Sequence, residues 1–136
     1  MDGATEAGRR RPHIAVFGCG AINEDEDMAL AAARPIAAWF VETVPRYCEL
    51  AGLDPKISEQ VHATYAGGEF QEARQAASLL PDEYVRKMAF AGNQAHAVSH
   101  IESLLDAGVD SISIFPLGNA REETIEAFAA SVEACR

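Results

Sequence analysis

The sequence predicts an α/β fold in which two parallel strands are joined by a long helical crossover and followed by a final helix. Three observations predict it. His13–Phe17 is a short run carrying Ile and Val that does not alternate apolar with polar, the pattern of a strand covered on both faces. Ser111–Phe115 supplies a second strand, and the stretch between the two is a succession of helix starts and stops. No third strand is legible to flank the pair. Sheets of buried parallel strands sit inside larger doubly wound or barrel folds, so this one reads as cut from something bigger.

Each element has its own signals. Residues 1–12 are small, polar and basic, and are expected to be a tail or the remnant of a preceding helix; the domain proper is expected over 13–136. The first strand is expected to close at Gly18-Cys19-Gly20. Asn23 then caps a helix with Glu26 three residues on, the spacing of a capping box. Glu24, Asp25, Glu26 and Asp27 crowd its first turn, where carboxylates suit the positive end of the helix dipole. That helix is expected to kink or divide at Pro35, with a second piece over Ile36–Val44 and a third ending at Gly52. Asp54-Pro55 offers a cap and a first-turn proline for a helix toward Tyr65. Gly67-Gly68 breaks it, and further helices are expected over Glu69–Leu79 and Pro81–Ala91.

After Gly92, Asn93 caps a helix with Ala97, Val98, Ile101, Leu104 and Leu105 on one face, ended by Gly108. Pro116-Leu117-Gly118 makes a tight connection after the second strand. Asn119 and Glu122 repeat the capping-box spacing, and the last helix is expected to turn Ile125, Phe128, Ala129 and Val132 inward.

Bulk properties exclude several functions. With 136 residues, 49% of them hydrophobic, the chain can bury a core as one domain. A net charge of −10 opposes binding to nucleic acid or to an anionic membrane surface. No apolar run has the length of a membrane span. Arg9–Arg11 before Ile14–Ile22 loosely imitates a secretion signal, but Gly18 and Gly20 interrupt the run and acid follows it. Three widely spaced cysteines, Cys19, Cys48 and Cys135, make no C-x-x-C pair and suit reduced thiols in the cytoplasm.

Four segments in the second half carry a resemblance. Leu80-Pro81-Asp82-Glu83, Ala89-Phe90-Ala91-Gly92, Ala107-Gly108-Val109-Asp110, and Phe115-Pro116-Leu117-Gly118 with Arg121-Glu122 resemble, in that order, the closing portion of luciferase-like monooxygenases. They are most similar to the deazaflavin-dependent branch of the methylenetetrahydromethanopterin reductase type. In the first half, Ile14–Ala33 is similar to the family's strand and alanine-rich helix before its long penultimate excursion. The likeness covers about residues 8–136. One departure is Gly92-Asn93-Gln94-Ala95-His96, where the family usually has Gly-Thr-Pro-Glu-Glu; Asn93 can still cap as threonine would.

The resemblance implies the C-terminal part of a TIM (β/α)8 barrel, the present strands being its seventh and eighth. It implies an oxidoreductase that transfers a hydride, or activates oxygen, through deazaflavin coenzyme F-420, with FMN as the alternative flavin, acting on a small-molecule substrate. The alternative is a non-catalytic truncated homologue. A homo-oligomer or a complementing N-terminal chain would supply the missing strands.

Barrel active sites gather at strand C-termini, so Gly18, Cys19, Gly20 and Gly118 are the expected cofactor-binding residues, their small size admitting a ring or phosphate close to the backbone. Gly18-Cys19-Gly20 also starts a G-x-G-x-x-G, but Asn23 stands at the third glycine, and a plain strand-to-helix turn accounts for it as well. Cys19 could be a thiolate at a helix start, against the commoner buried structural cysteine. His96 and His100 share helical spacing but lack a third ligand, so surface is expected and no metal. Trp39, Phe40 and Tyr47 are expected to pack the crossover. No general acid or base stands out, and the catalytic residues are left unassigned, as suits chemistry carried by a cofactor.

Overall fold

The computed structural model of the chain describes residues 6–65 and 70–136. Strand β1 (Ala15–Ile22) leads to helix α1 (Glu26–Thr43), then α2 (Pro45–Ala51), α3 (Pro55–Thr64), α4 (Phe70–Ala77) and α5 (Asp82–Met88). Strand β2 (Phe90–Gly92), helix α6 (Gln94–Asp106), strand β3 (Ser111–Pro116) and helix α7 (Arg121–Ala134) follow. The expected break at Gly67-Gly68 lies outside the described residues.

The expected strand pair forms. β1 and β3 are parallel, in register from Ala15 opposite Ser111 to Gly20 opposite Pro116. The strand count is corrected from two to three. Phe90–Ala91, expected as the end of a helix from Pro81, and Gly92 after them instead pair in parallel with Gly20–Ile22, giving the order β2-β1-β3. Helix α5 stops at Met88 because Ala89 is already extended, with φ −147° and ψ 160°. Three residues are too few to display a strand period, which is why the run passes for helix in the sequence.

Strand β1 also extends further than expected. Gly18, Cys19 and Gly20 do not close it but lie within it, because β3 offers a partner along Gly18–Gly20 and β2 takes over from Gly20 to Ile22. The glycines admit a neighbour on one face. A Cβ on Gly18 would stand 3.0 Å from Phe90 Cε2, and one on Gly20 3.3 Å from Ile114 Cδ1.

Helix ends follow local chemistry, with three corrections. The cap of α1 is Asp25, whose carboxylate accepts from Met28 N at 3.1 Å; Asn23 accepts from Asp25 N one step earlier. Pro35 does not divide α1, which runs unbroken to Thr43. The proline removes only the bond to the Ala31 carbonyl, and both residues line an open cleft where that loss is not buried. Ala120 stands at the N-cap of α7 and gives no side-chain cap bond, in place of the Asn119 capping box. Asp54 caps α3, Asn93 caps α6 and Gly52 ends α2 at φ 72°, all as expected.

Two apolar layers flank the sheet. On one side Ile22, Phe90, Ala97 and Ile101 are buried against half-buried Ile114 and Phe128, under α6 and α7. On the other, α1 presents Ala29, Ala33, Ala37 and Ala38, whose small side chains let the crossover helices close onto Ala21 and Ala91. The stripe expected on α7 is shifted. Thr124 and Ser131 are buried and Phe128 and Val132 partly so, whereas Ile125 and Ala129 are exposed. Thr124 is inside because its hydroxyl serves the end of β1, accepting from Ile22 N at 3.1 Å.

The α1 layer covers only the upper end of its side of the sheet. Lower down, Phe17 is 72% and Phe115 52% exposed, with Ser111 and Ser113 beside them. At the N-terminal end of the strands, Arg11 Nη1 donates to both oxygens of Asp110, at 2.8 and 2.9 Å, and Asp110 accepts from Ile14 N. This clasp joins the start of β1 to the start of β3 and, chiefly through the Arg11 bond, holds the Asp110 carboxyl below the usual range.

Candidate functional site

A cleft of about 970 Å³ opens at the C-terminal ends of β1 and β3. Parallel strands create it: all chains leave the sheet at one end, and the connections diverge around a common crevice. One wall is the alanine-rich face of α1 with Met28, Ala32 and Trp39. The opposite wall is the β3–α7 connection, Phe115 to Ala120, and the start of α7. Tyr65 and Arg74 reach in from the crossover.

Gly118 belongs to this cleft. Its φ is +73°, and a Cβ there would stand 2.9 Å from the Ala32 Cβ. A non-glycine residue would therefore pay both a left-handed backbone and a clash with α1. The loop can lie this close to the helix only because both residues are small.

Gly18, Cys19 and Gly20 are placed differently. None lines the cleft. Gly18 and Gly20 accommodate Phe90 and Ile114 on the side of α6 and α7, so these glycines do not share a crevice with Gly118 as the strand-end reading required. Cys19 is half-buried opposite Phe115 in the register, at a β1 position on the other side, and burial pushes its thiol up, away from a ready thiolate. Nothing here makes it a nucleophile.

The histidines divide as well. His100, expected at the surface, stacks on Phe90 with centroids 4.4 Å apart, and burial pulls its pKa down. His96 Nδ1 is 3.0 Å from Asn93 Oδ1 and 3.8 Å from Glu26, which also accepts from Asn93 Nδ2 and Arg86 Nη2. These bonds tie α1, α5 and α6 together at the end of β2. Among the described residues no group of three His, Cys, Asp or Glu side chains could hold a metal ion.

Trp39 packs edge-on to Phe40, and Phe40 against Tyr47, as expected of the crossover. Trp39 does more than pack, because it is 44% exposed and faces the cleft. The cleft residues that sequence reasoning missed are Tyr65, Arg34, Arg74 and Arg121. The only sequence signal for Arg121 was its place three residues after the Phe115–Gly118 segment; Arg34 and Arg74 had none.

With this geometry in hand, the class is an α/β segment of the TIM-barrel type. The chain is 33% identical over 129 residues to 5,10-methylenetetrahydromethanopterin reductase of Methanopyrus kandleri, an alignment spanning 92% of this chain and 36% of that protein. Its fold matches the structure of coenzyme F420 dependent tetrahydromethanopterin reductase from Methanopyrus kandleri with a TM-score of 0.82 and 28% identity, over 99% of this chain and 40% of that one. No protein-family model matches. The resemblance to the C-terminal part of such reductases therefore stands, and the chain spans well under half the length of the relatives it matches. No helix among the described residues is long and apolar enough to cross a membrane.

Proposed function

We propose that the chain furnishes one wall of the cofactor site of an F420-dependent reductase acting in the cytoplasm on a small-molecule substrate. The observation that carries this reading is the cleft at the C-terminal edge of the parallel sheet, in a chain similar to enzymes of that kind. The residues present fit the cofactor. Alanines of α1, Trp39, Tyr65 and Phe115 give the flat, apolar surroundings that a deazaflavin ring needs, and Gly118 keeps the loop low enough for a ligand to lie along it.

When bound, the deazaflavin supplies hydride transfer. The chain's own residues bind and orient. Trp39 and Tyr65 exclude water from the apolar wall, and the Phe115–Ala120 connection sets the depth of the cleft. Of the residues expected to bind the cofactor, Gly118 does so directly in this reading. Gly18, Cys19 and Gly20 act from beneath, by fixing where β1 and β3 end. The other wall comes from the part of the fold that the relatives carry beyond the matched region, in a complementing N-terminal chain or a second copy.

Titration of coenzyme F420 with the chain, alone and with a polypeptide supplying the remaining strands, tests this. Fluorescence quenching should saturate, most tightly in the complemented sample, and Gly118→Val should weaken it about tenfold, as ~1–2 kcal/mol of backbone strain plus a clash implies. Hydride transfer to F420 should require complementation. Absence of saturable binding in both samples sinks the proposal. Oxygen consumption with FMN and none of the F420 reaction would move the chain to the flavin branch.

A further inference from the structure

The cleft has an unusual charge for this protein. The chain has 21 acidic against 11 basic residues, yet among the described residues no carboxylate lines the cleft, while Arg34, Arg74 and Arg121 do. Glu122 and Glu123 share the first turn of α7 with Arg121 but stand outside the wall.

The three arginines are not equivalent. Arg34 is engaged within the protein, donating to the Leu80 carbonyl and, by a salt bridge, to Asp82. It braces α1 against the start of α5. Among the described residues Arg121 makes one side-chain bond, from Nε to the Gly118 carbonyl at 3.2 Å, which anchors the guanidinium and leaves both terminal nitrogens available. Arg74 has no carboxylate partner among the described residues. A guanidinium held through Nε, with its terminal N–H groups free at the rim of a cleft that no described carboxylate lines, is a receptor for an oxyanion.

Resting on the reductase reading for which ligand carries it, we propose that Arg74 and Arg121 bind a doubly charged oxyanion, a phosphate ester or dicarboxylate, on the ligand that occupies the cleft. Arg34 does not take part. Such a group could belong to the side chain of the cofactor or to the substrate. The surrounding acidic surface then adds selectivity, because an anion is favoured in this cleft and repelled elsewhere on the molecule.

Inorganic pyrophosphate, titrated calorimetrically into the full chain at fixed ionic strength, is the direct probe. Wild type and Arg136→Gln, a change outside the cleft, should bind alike. The double variant Arg74→Gln/Arg121→Gln should bind at least about tenfold more weakly, the scale of losing charge-assisted bonds to an anion. A second measurement uses coenzyme F420 and the same deazaflavin without its phosphorylated side chain. If the anion is the cofactor's, the double variant loses the preference for F420 but keeps its affinity for the bare ring, and pyrophosphate competes with F420. If it is the substrate's, pyrophosphate and F420 bind together. Pyrophosphate binding lost in the double variant with no deazaflavin binding at all would uphold the anion site and defeat the reductase reading. Equal pyrophosphate affinity in wild type and double variant, or no pyrophosphate binding by wild type, overturns the anion site.

Discussion

The two sides of the sheet differ more than the strand sequences suggest. Under α6 and α7, Phe90 is 3% exposed, stacked on His100 and edge-on to Phe128, with the glycines of β1 making room for its ring. On the other side, below the reach of α1, Phe17 and Phe115 stand largely in solvent. Both sides are built from side chains that burial would stabilise, at roughly 25 cal/mol per Å² of apolar surface removed from water. One side is completed by the chain's own helices. The other has the make-up of a barrel interior, which the remaining strands of such a fold would cover.

That difference can be broken at its strongest point first. Phe90→Ala should cost about 3–5 kcal/mol, because it empties the centre of the closed layer beneath Ile22 and Ile101. Urea unfolding followed by circular dichroism measures this; a loss below 1 kcal/mol would mean that the layer does not hold the sheet.

Gly18→Val sharpens the same side. Its Cβ would sit 3.0 Å from the Phe90 ring, and the added methyls must displace that ring, at about 1–3 kcal/mol. The pairing is testable, since Phe90→Leu in the same chain should recover part of the loss. Two strictly additive changes would show that Gly18 is kept for something other than room for Phe90.

The smallest effect on stability belongs to the open side. Phe17→Ser with Phe115→Ser should lower the unfolding free energy in urea by no more than about 0.5 kcal/mol per site, because both rings are more exposed than buried. Self-association should fall instead, seen as a lower weight-average mass by sedimentation across a dilution series. If the double change destabilises the chain as much as Phe90→Ala, the two sides are not different in kind. If association is untouched, the open face is not where copies meet.

How much of this the sequence disclosed follows from the range of the interactions involved. The parallel pairing of β1 with β3 was legible because apolar runs separated by helix signals admit few other arrangements. Caps at Asp54 and Asn93 and the turn at Gly52 were legible because a side chain bonds to a backbone group two or three residues away, or a backbone angle excludes other residues. Strand β2 was not, since its three residues become a strand only when Gly20–Ile22 lies alongside them. Asn23 and Asp25 compete as caps within three residues, and the bond from Asn23 N to the Gly92 carbonyl settled the choice.

The site divides along the same line. Its location at the strand C-termini and the inclusion of Gly118 came from chain direction and from a resemblance written in contiguous segments. Which glycines face the cleft came from the pleat: alternate residues point to opposite sides, and only the packed structure shows that Gly18 and Gly20 serve Phe90. Arg34, Arg74 and Arg121 are far apart in sequence and meet at one cleft only after the crossover folds back over the sheet. Local order, the two longer strands and the capped turns were thus determined by the sequence alone, through forces acting over a few residues. The third strand, the covered side of the sheet and the charge of the cleft were decided by tertiary structure, because each depends on residues that only packing brings within contact distance.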